Sequence, residues 1–264
     1  MPELTDALFV EERRRYIMRQ LADGGRVSVK TMSEALNVST VTIRQDLKAL
    51  EQAGLLERTY GGAVLREQKQ PLPEMSFHVR LGKRQREKAA IAAAAAALVK
   101  EGFTVALDCS TTAYGLVPFL KRFKKITVVT NSLFTAQSFL DSPQVNVLLP
   151  GGHLRRDSIS IVGSPEGLPD VNVNIGFFGA RGISEQGGIS DVDAEEVMIK
   201  QAMVARCVHP VVVADGSKWG QVAPYTFIAS GNGHIITSQD APKELVDTFR
   251  NKGVRVDVVA VRQK

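Results

Sequence analysis

Six short runs of apolar and β-branched residues recur beyond Phe103: TVALDC, ITVVTN, VNVLLP, NIGFFGA, HPVVVAD and VRVDVVAV. Helical patterns lie between several of them, near 113–122, 133–140, 194–206 and 242–251. Strands that are apolar throughout need cover on both faces, and strands joined through helices run parallel. The expected fold class is therefore α/β, with a mainly parallel sheet. In such sheets ligands sit beyond the carboxyl ends of the strands.

The polar motifs fall at those ends. Asp108-Cys109-Ser110-Thr111-Thr112 follows the first run. Three adjacent hydroxyls before a helix exceed what an N-cap needs, and hydroxyls with backbone N–H groups suit an anion. Thr130-Asn131-Ser132 makes a similar turn after the second run, and Pro150-Gly151-Gly152 allows close backbone approach after the third. Asp215-Gly216-Ser217-Lys218 follows the fifth, where a lysine is a natural phosphate partner. Any one of these turns is ordinary. Their sharing of one sheet edge is what points to a ligand.

The first 65 residues read differently. Helical patterns at Glu11–Ala22, with Ile17 and Leu21, and after Ser28, with Met32, Ala35 and Leu36 inward, precede a turn at Asn37-Val38. Ser39 then suits an N-cap for a third helix, in which Ile43, Leu47 and Leu50 define a buried face. Val41, Arg44, Gln45, Lys48 and Gln52 fall on the opposite side. Arginine, glutamine and a small aliphatic group can read base edges in a major groove. Gly54 is the expected helix stop. Leu55–Tyr60 and Ala63–Leu65 flank Gly61-Gly62, a hairpin with a glycine turn. Three helices and a hairpin make the winged helix-turn-helix plan. The candidate DNA contacts are Ser39, Thr40, Val41, Thr42, Arg44, Gln45 and Lys48 on the helix, with Arg58 and Tyr60 on the wing.

Charge adds little to this. The net charge is +5, and residues 66–88 hold seven basic and three acidic side chains while the first 65 residues are balanced. That local excess extends a phosphate-contacting surface or solvates a helix start, and the second use is the commoner. REQKQPLPEMS, with Pro71 and Pro73, reads as a linker. The expected domains are thus 1–65, a linker at 66–76, and 77–264. The alanine tract before Lys100 reads as a helix, with Ile91, Leu98 and Val99 giving it an apolar face.

No apolar run reaches the ~20 residues that span a bilayer. The start, MPELTDALFVEERRR, lacks the basic-then-apolar order of a signal peptide, so a cytoplasmic location is expected and no membrane partner. Two cysteines, Cys109 and Cys207, make no disulfide framework.

The N-terminal residues resemble the signature of the DeoR family of bacterial transcription regulators. The resemblance rests on Val38, Ser39, Thr42, Ile43, Arg44, Asp46, Leu47, Leu50, Glu51, Gly54, Leu56, Arg58, Gly61, Gly62 and Ala63, with Arg14, Ile17, Leu21, Gly25, Val27 and Leu36 upstream. Gln45 stands where the family usually has arginine, and Tyr60 where histidine is common. Phe77, Arg80 and Glu87-Lys88 fit the family's next positions. The strand-end turns resemble the family's C-terminal sensor domain, at Asp108, Thr111, Thr112, Thr130, Asn131, Ser132, Gly151, Gly152, the Gly179–Ile183 stretch, Glu196, Lys200, Asp215, Ser217 and Lys218. Ser110 departs from a common glycine.

The resemblance implies a repressor or activator that reads a double-stranded DNA operator and senses a phosphorylated sugar, with a sensor fold related to ribose-5-phosphate isomerases. Repression of a sugar-metabolism operon is the favoured form. It further implies a homo-oligomer. The effector set it implies is Asp108, Ser110, Thr111, Thr112, Asn131, Ser132, Gly151, Gly152, Lys200 and Lys218. No catalytic residue, cofactor or metal is expected. The alternative is a sugar-phosphate isomerase or deaminase, with a general base among Asp191, Asp193, Glu195 and Glu196. Acidic residues before a helix more often complement its dipole. A metal sensor using Cys207, His209, His153 and His234 has no ligand spacing to support it.

Overall fold

The computed structural model describes residues 4–52, 56–64, 76–231 and 233–261. The expected stop at Gly54, the Gln52 side chain, Leu55, Leu65 and the linker through 66–75 lie outside the described residues. The chain forms two compact units that divide between Lys83 and Arg84.

The first unit holds α1 (Leu4–Gly24), β1 (Arg26–Ser28), α2 (Val29–Leu36), α3 (Thr40–Gln52), β2 (Glu57–Thr59), β3 (Gly62–Val64) and α4 (Phe77–Gly82). Ile17, Leu21, Met32, Ile43, Leu47 and Leu56 make one buried core among α1–α3 and the strands. Ser28 caps α2 by accepting from the Thr31 N–H at 3.3 Å, and Asn37 ends it in the left-handed conformation (φ 51°). Ala35, expected inward, is exposed, because Met32 already fills that turn's place in the core.

The wing has three strands in the order β1-β3-β2, all antiparallel. The third strand is β1, whose Val27 and Ser28 lie just before α2 and pair with Ala63 and Gly62. Gly61-Gly62 is not the turn expected. Tyr60 and Gly61 (φ 101°) form the turn, while Gly62 sits in β3 between Thr59 and Ser28. A Cβ on Gly62 would lie 2.0 Å from the Val27 carbonyl oxygen, so glycine is required there by strand contact.

The second unit begins with α5 (Gln85–Ala96), followed by β4 (Thr104–Leu107), α6 (Thr111–Tyr114), α7 (Val117–Leu120), β5 (Ile126–Thr130), α8 (Leu133–Gln137) and β6 (Val145–Leu148). A hairpin follows, β7 (His153–Arg155) and β8 (Ser160–Val162), then β9 (Val173–Phe178), β10 (Gly182–Ser184), β11 (Gly188–Asp191), α9 (Ala194–Ala205) and β12 (Cys207–Val213). The chain closes with β13 (Tyr225–Ile228), β14 (His234–Ser238), α10 (Lys243–Asn251) and β15 (Arg255–Val259). The single helix expected at 113–122 is two short ones, broken at Gly115-Leu116.

Seven strands form one parallel sheet in the order β15-β14-β12-β9-β4-β5-β6. Alternate residues feed opposite cores. Val105, Leu107, Phe177, Val211 and Val213 pack with Ile91, Ala92, Ala95, Leu116 and Leu120 from α5–α7. Ala106, Phe178 and Val212 pack with Val197, Ile199, Met203 and Phe249 from α9 and α10. Alanines let α5 lie close: a Cβ on Gly115 would meet the Ala92 methyl at 3.0 Å. The chain steps from β4 to β5 and β6, then returns to place β9 on the other flank of β4. That reversal makes β4/β9 the switch point, where a crevice opens at the carboxyl edge. The β7–β8 hairpin and the small β10-β11-β13 sheet also leave from that edge.

Candidate functional site

On α3, Ser39 accepts from the Thr42 N–H at 3.1 Å, and the two side-chain hydroxyls lie 2.9 Å apart. Both hydroxyls therefore help start the helix. Ile43, Leu47 and Leu50 are buried. Thr40, Val41, Arg44, Gln45 and Lys48 are exposed along the other side, with Val41 58% accessible. Val41 thus presents an aliphatic group on the same exposed face as the Arg44 and Lys48 cations and the Gln45 amide.

Asp46 is a residue whose role the sequence reading passed over. Its carboxylate is 2% exposed and receives Arg13 Nε at 2.5 Å and Arg14 Nε at 2.9 Å, both from α1. The signal was available: Asp46 falls on the Ile43/Leu47/Leu50 side, where a carboxylate needs partners. The pairs fix the rotation of α3 and so decide which side chains face outward. On the wing, Glu51 accepts from the Arg58 N–H at 3.2 Å and lies 3.9 Å from its guanidinium. This couples hairpin to helix. Tyr60 stands at the hairpin tip, fully exposed.

In the second unit the four polar turns follow β4, β5, β6 and β12, so all open on the carboxyl edge. At the switch point Asp108 Oδ2 accepts from the Gly179 N–H at 2.8 Å and pairs with Lys200 Nζ at 3.0 Å. Lys200, 2% exposed on α9, also reaches Asp191 Oδ2 at 2.6 Å and donates to the Gly179 carbonyl at 2.9 Å. Its ammonium lies 4.7 Å from the Phe227 ring centroid. Burial pulls the Lys200 pKa down, but the Asp108 and Asp191 charges outweigh it and hold it well above its usual range. Burial likewise opposes ionisation of Asp191, and the Lys200 charge still keeps its carboxyl below the ordinary value. Lys200 is thus a buried brace that joins β4, the β9 end and β11.

Ser110 Oγ caps α6 by accepting from the Ala113 N–H at 3.1 Å. Its Cβ fills the space beside Gly179, where an added Cβ would meet it at 2.3 Å. Thr111 and Thr112 are 5% and 7% exposed, and neither hydroxyl has a protein partner among the described residues. With only four residues, α6 brings a small dipole, so an anion here would be held by hydroxyls and N–H groups.

Asn131 and Ser132 are buried beneath the β7–β8 hairpin. The Ile161 N–H donates to the Asn131 carbonyl at 2.7 Å, and Ser132 Oγ accepts from the Thr135 N–H at 3.1 Å. The Asn131 side-chain oxygen is buried without a hydrogen bond. Gly151 and Gly152 are exposed, yet their lack of side chains serves packing. A Cβ on Gly152 would meet the Val162 carbonyl at 2.2 Å, and Gly151 pairs with Gly167 through its N–H at 2.9 Å. Lys218 is half-buried at the end of a short 3-10 turn, Gly216–Lys218, whose start Asp215 caps through the Ser217 N–H at 3.0 Å.

The acidic set before α9 is engaged. Asp193 caps the helix through the Glu196 N–H at 2.9 Å and pairs with Arg155 at 3.0 Å. Glu196, buried, accepts from Cys109 Sγ and Ser160 Oγ, both at 3.4 Å. His153 lies 3.7 Å from Glu195. Among the described residues no group of three or more His, Cys, Asp or Glu is arranged to hold a metal. Burial pushes the Cys207 thiol up to about 12, and His209 and His234 contact each other at 3.3 Å. No helix among the described residues is long and apolar enough to cross a membrane.

Comparison with known proteins matches both units. The profile of the DeoR-like helix-turn-helix domain covers residues 13–69, and that of the DeoR C terminal sensor domain covers 83–239. The HTH-type transcriptional regulator GolR of Listeria innocua is 31% identical over 95% of this chain and 99% of its own length. A putative aga operon transcriptional repressor of Escherichia coli O157:H7 is 31% identical over 94% of this chain and 93% of its own. The glycerol-3-phosphate regulon repressor of Escherichia coli K12 is 29% identical over 80% and 84%. Among solved structures, a ribose 5-phosphate isomerase A from Methanocaldococcus jannaschii aligns over 50% of this chain and 53% of its own, at 17% identity and a TM-score of 0.38. That likeness is too partial to carry a functional argument.

Proposed function

Because this chain belongs to the DeoR family of helix-turn-helix transcription regulators, we propose that it represses a sugar-metabolism operon and that a phosphorylated sugar modulates its grip on the operator. Arg44, Gln45 and Val41 read bases, Lys48, Arg58 and Tyr60 meet backbone or minor groove, and Ser39, Thr40 and Thr42 set the helix start against phosphate. The names of the relatives support sugar control: one is a putative repressor of the aga operon and another a repressor of the glycerol-3-phosphate regulon.

The observation that carries the effector reading is the pair of unengaged hydroxyls on Thr111 and Thr112, at the switch point of a parallel sheet. They and Lys218 bind the phosphate. Ser110 shapes that loop. Asn131 offers its buried oxygen to a sugar hydroxyl. Ser132, Gly151 and Gly152 frame the site through the hairpin. Asp108 and Lys200, neutralised against each other and Asp191, position the loop without touching the phosphate.

The same engagement of Asp191, Asp193 and Glu196 argues for regulation over isomerisation, since a general base needs a carboxylate open to substrate. The protein works in the cytoplasm as a homo-oligomer on repeated half-sites. The test is anisotropy of labelled DNA from its own promoter, with a panel of sugar phosphates and their unphosphorylated sugars. Release by one sugar phosphate and by no neutral sugar is expected. Failure of the whole panel to alter binding, or conversion of a sugar phosphate to product, would overturn the reading.

A further inference from the structure

The groups assigned to the effector are shut away from water. Thr111, Thr112, Asn131 and Ser132 are all buried, so a sugar phosphate reaches them only after something moves. The element lying over the Asn131-Ser132 turn is the β7–β8 hairpin, and its hold there is polar. The Leu133 N–H donates to the Ile159 carbonyl at 3.0 Å, the Ile161 N–H donates to the Asn131 carbonyl at 2.7 Å, and Ser132 and Ser160 form an isolated bridge. A cover held by a few hydrogen bonds opens more readily than a strand packed on both faces.

The hairpin's own sequence suits such a motion. Its base is glycine on both sides. Gly152 has φ 152°, and a Cβ on Gly163 would meet the Gly152 Cα at 3.0 Å, so the two strands leave the sheet edge through bare backbone. Its loop holds Ile159 at φ 54°, a left-handed conformation that a β-branched residue avoids. Strain of that kind lasts only while the surrounding contacts enforce it. Its first strand carries Arg155, which ties it to the start of α9. Arg155 Nη1 lies 3.0 Å from Asp193 Oδ2, and Nε lies 3.5 Å from Glu196 Oε1.

We propose that the β7–β8 hairpin is the lid of the sugar-phosphate site, hinged at Gly152 and Gly163 and latched to α9 by Arg155. The inference rests on the assignment of that site to the Thr111-Thr112 loop and the Asn131 turn. When Arg155 leaves its two carboxylates, the hairpin swings off the Asn131 turn and the effector enters. Reclosure over the bound sugar restores the latch and excludes water, and charge-assisted contacts to the phosphate are stronger there than in water.

Cys109 reports the opening. Its Sγ donates to Glu196 Oε2 at 3.4 Å, while Ser160 Oγ of the hairpin donates to Glu196 Oε1 at 3.4 Å, so the thiol sits behind the latched hairpin. Cys207, at the opposite, amino edge of the sheet, is the internal control. The full chain is alkylated with iodoacetamide, and peptide mass spectrometry reads the two rates separately. Arg155→Gln should speed Cys109 by about tenfold or more and leave Cys207 within about twofold. No change at Cys109, or an equal rise at both thiols, overturns the lid. Hydrogen exchange of the wild type decides without a variant. The Leu133 and Ile161 amides should share one protection factor, about tenfold or more below that of Val105–Leu107 in β4, and protection equal to that of β4 overturns the lid. The wild type is then titrated by calorimetry with ribose 5-phosphate, glucosamine 6-phosphate and inorganic phosphate. A probe that binds should slow Cys109 alkylation by about tenfold or more. Binding that leaves the Cys109 rate unchanged overturns the lid alone. Binding of none of the three removes the sugar-phosphate reading, and the lid falls with it.

Discussion

Lys200 Nζ lies 2.6 Å from Asp191 Oδ2, in a place where the lysine is 2% exposed and a second carboxylate, Asp108, stands 3.0 Å away. Lysine on a helix facing the ligand edge invites assignment to the phosphate. The geometry instead makes it the counter-ion of two buried acids. Removing one partner of a buried ion pair costs ~3–5 kcal/mol, because the remaining charges stay desolvated. Lys200→Met should therefore lower the urea-derived stability of the second unit by about that much. A loss under ~1 kcal/mol, with sugar-phosphate binding abolished, would return Lys200 to the phosphate.

Gln45 is exposed on the outer side of α3, one residue before the buried Asp46. Gln45→Ala should cost ~1–3 kcal/mol on the cognate operator and relax preference at one or two base positions. Stability should hardly change. Anisotropy with operator and random duplexes checks it. An equal loss on both would mean that Gln45 touches only phosphate or nothing.

Much of this was legible beforehand, for physical reasons that differ by region. The α3 wheel worked because Ile43, Leu47 and Leu50 repeat at helical period. The six apolar strands worked because both faces are buried. β14 was missed: His234, Thr237 and Ser238 hide a strand whose five residues are all buried. Two of its polar groups meet distant residues, Thr237 the Trp219 indole and Ser238 the Gly216 N–H, and no local pattern announces that. The β7–β8 hairpin was missed likewise, since HLRRDSISIV mixes polar and apolar residues without a clean alternation; its strands pair with each other and reach the sheet edge through the Asn131-Ser132 turn. Gly62 looked like half of a turn because a sequence does not show that β1 passes 2.0 Å from its missing Cβ. That the four polar turns end strands of one sheet was readable. Burial of Lys200 between two acids from separate segments was not.

His234 is 2% exposed at the start of β14, between His209 at 3.3 Å and Asp257 at 2.8 Å. Burial pulls its pKa below the ordinary value, against the raising effect of Asp257. Between that lowered pKa and the unfolded value near ~6.5, the unfolded chain binds the extra proton. Stability should therefore rise with pH through this window, and fall as pH drops below ~6.5. Urea midpoints from pH 7.5 to 5 should show the decline, and His234→Gln should flatten it. A steeper slope in the variant would place the proton elsewhere.

Lys218 ends a turn whose backbone is pinned by Asp215, and it is assigned to the same anion as Thr111 and Thr112. A phosphate monoester carries nearly two negative charges at neutral pH, so the lysine contact is charge-assisted and worth ~1.5–3 kcal/mol. Lys218→Ala should weaken a sugar phosphate roughly 10- to 150-fold by calorimetry. Operator affinity without effector should stay within threefold, because the reading helix belongs to the first unit and Lys218 to the second. The effector response of the DNA complex should vanish at concentrations that saturate the wild type. The two hydroxyls alone would still favour an anion over a neutral sugar, so Lys218→Ala should retain the order of preference while losing the strength. Equal calorimetric affinity in wild type and variant, or tighter binding of the unphosphorylated sugar by the wild type, would remove Lys218 from the site.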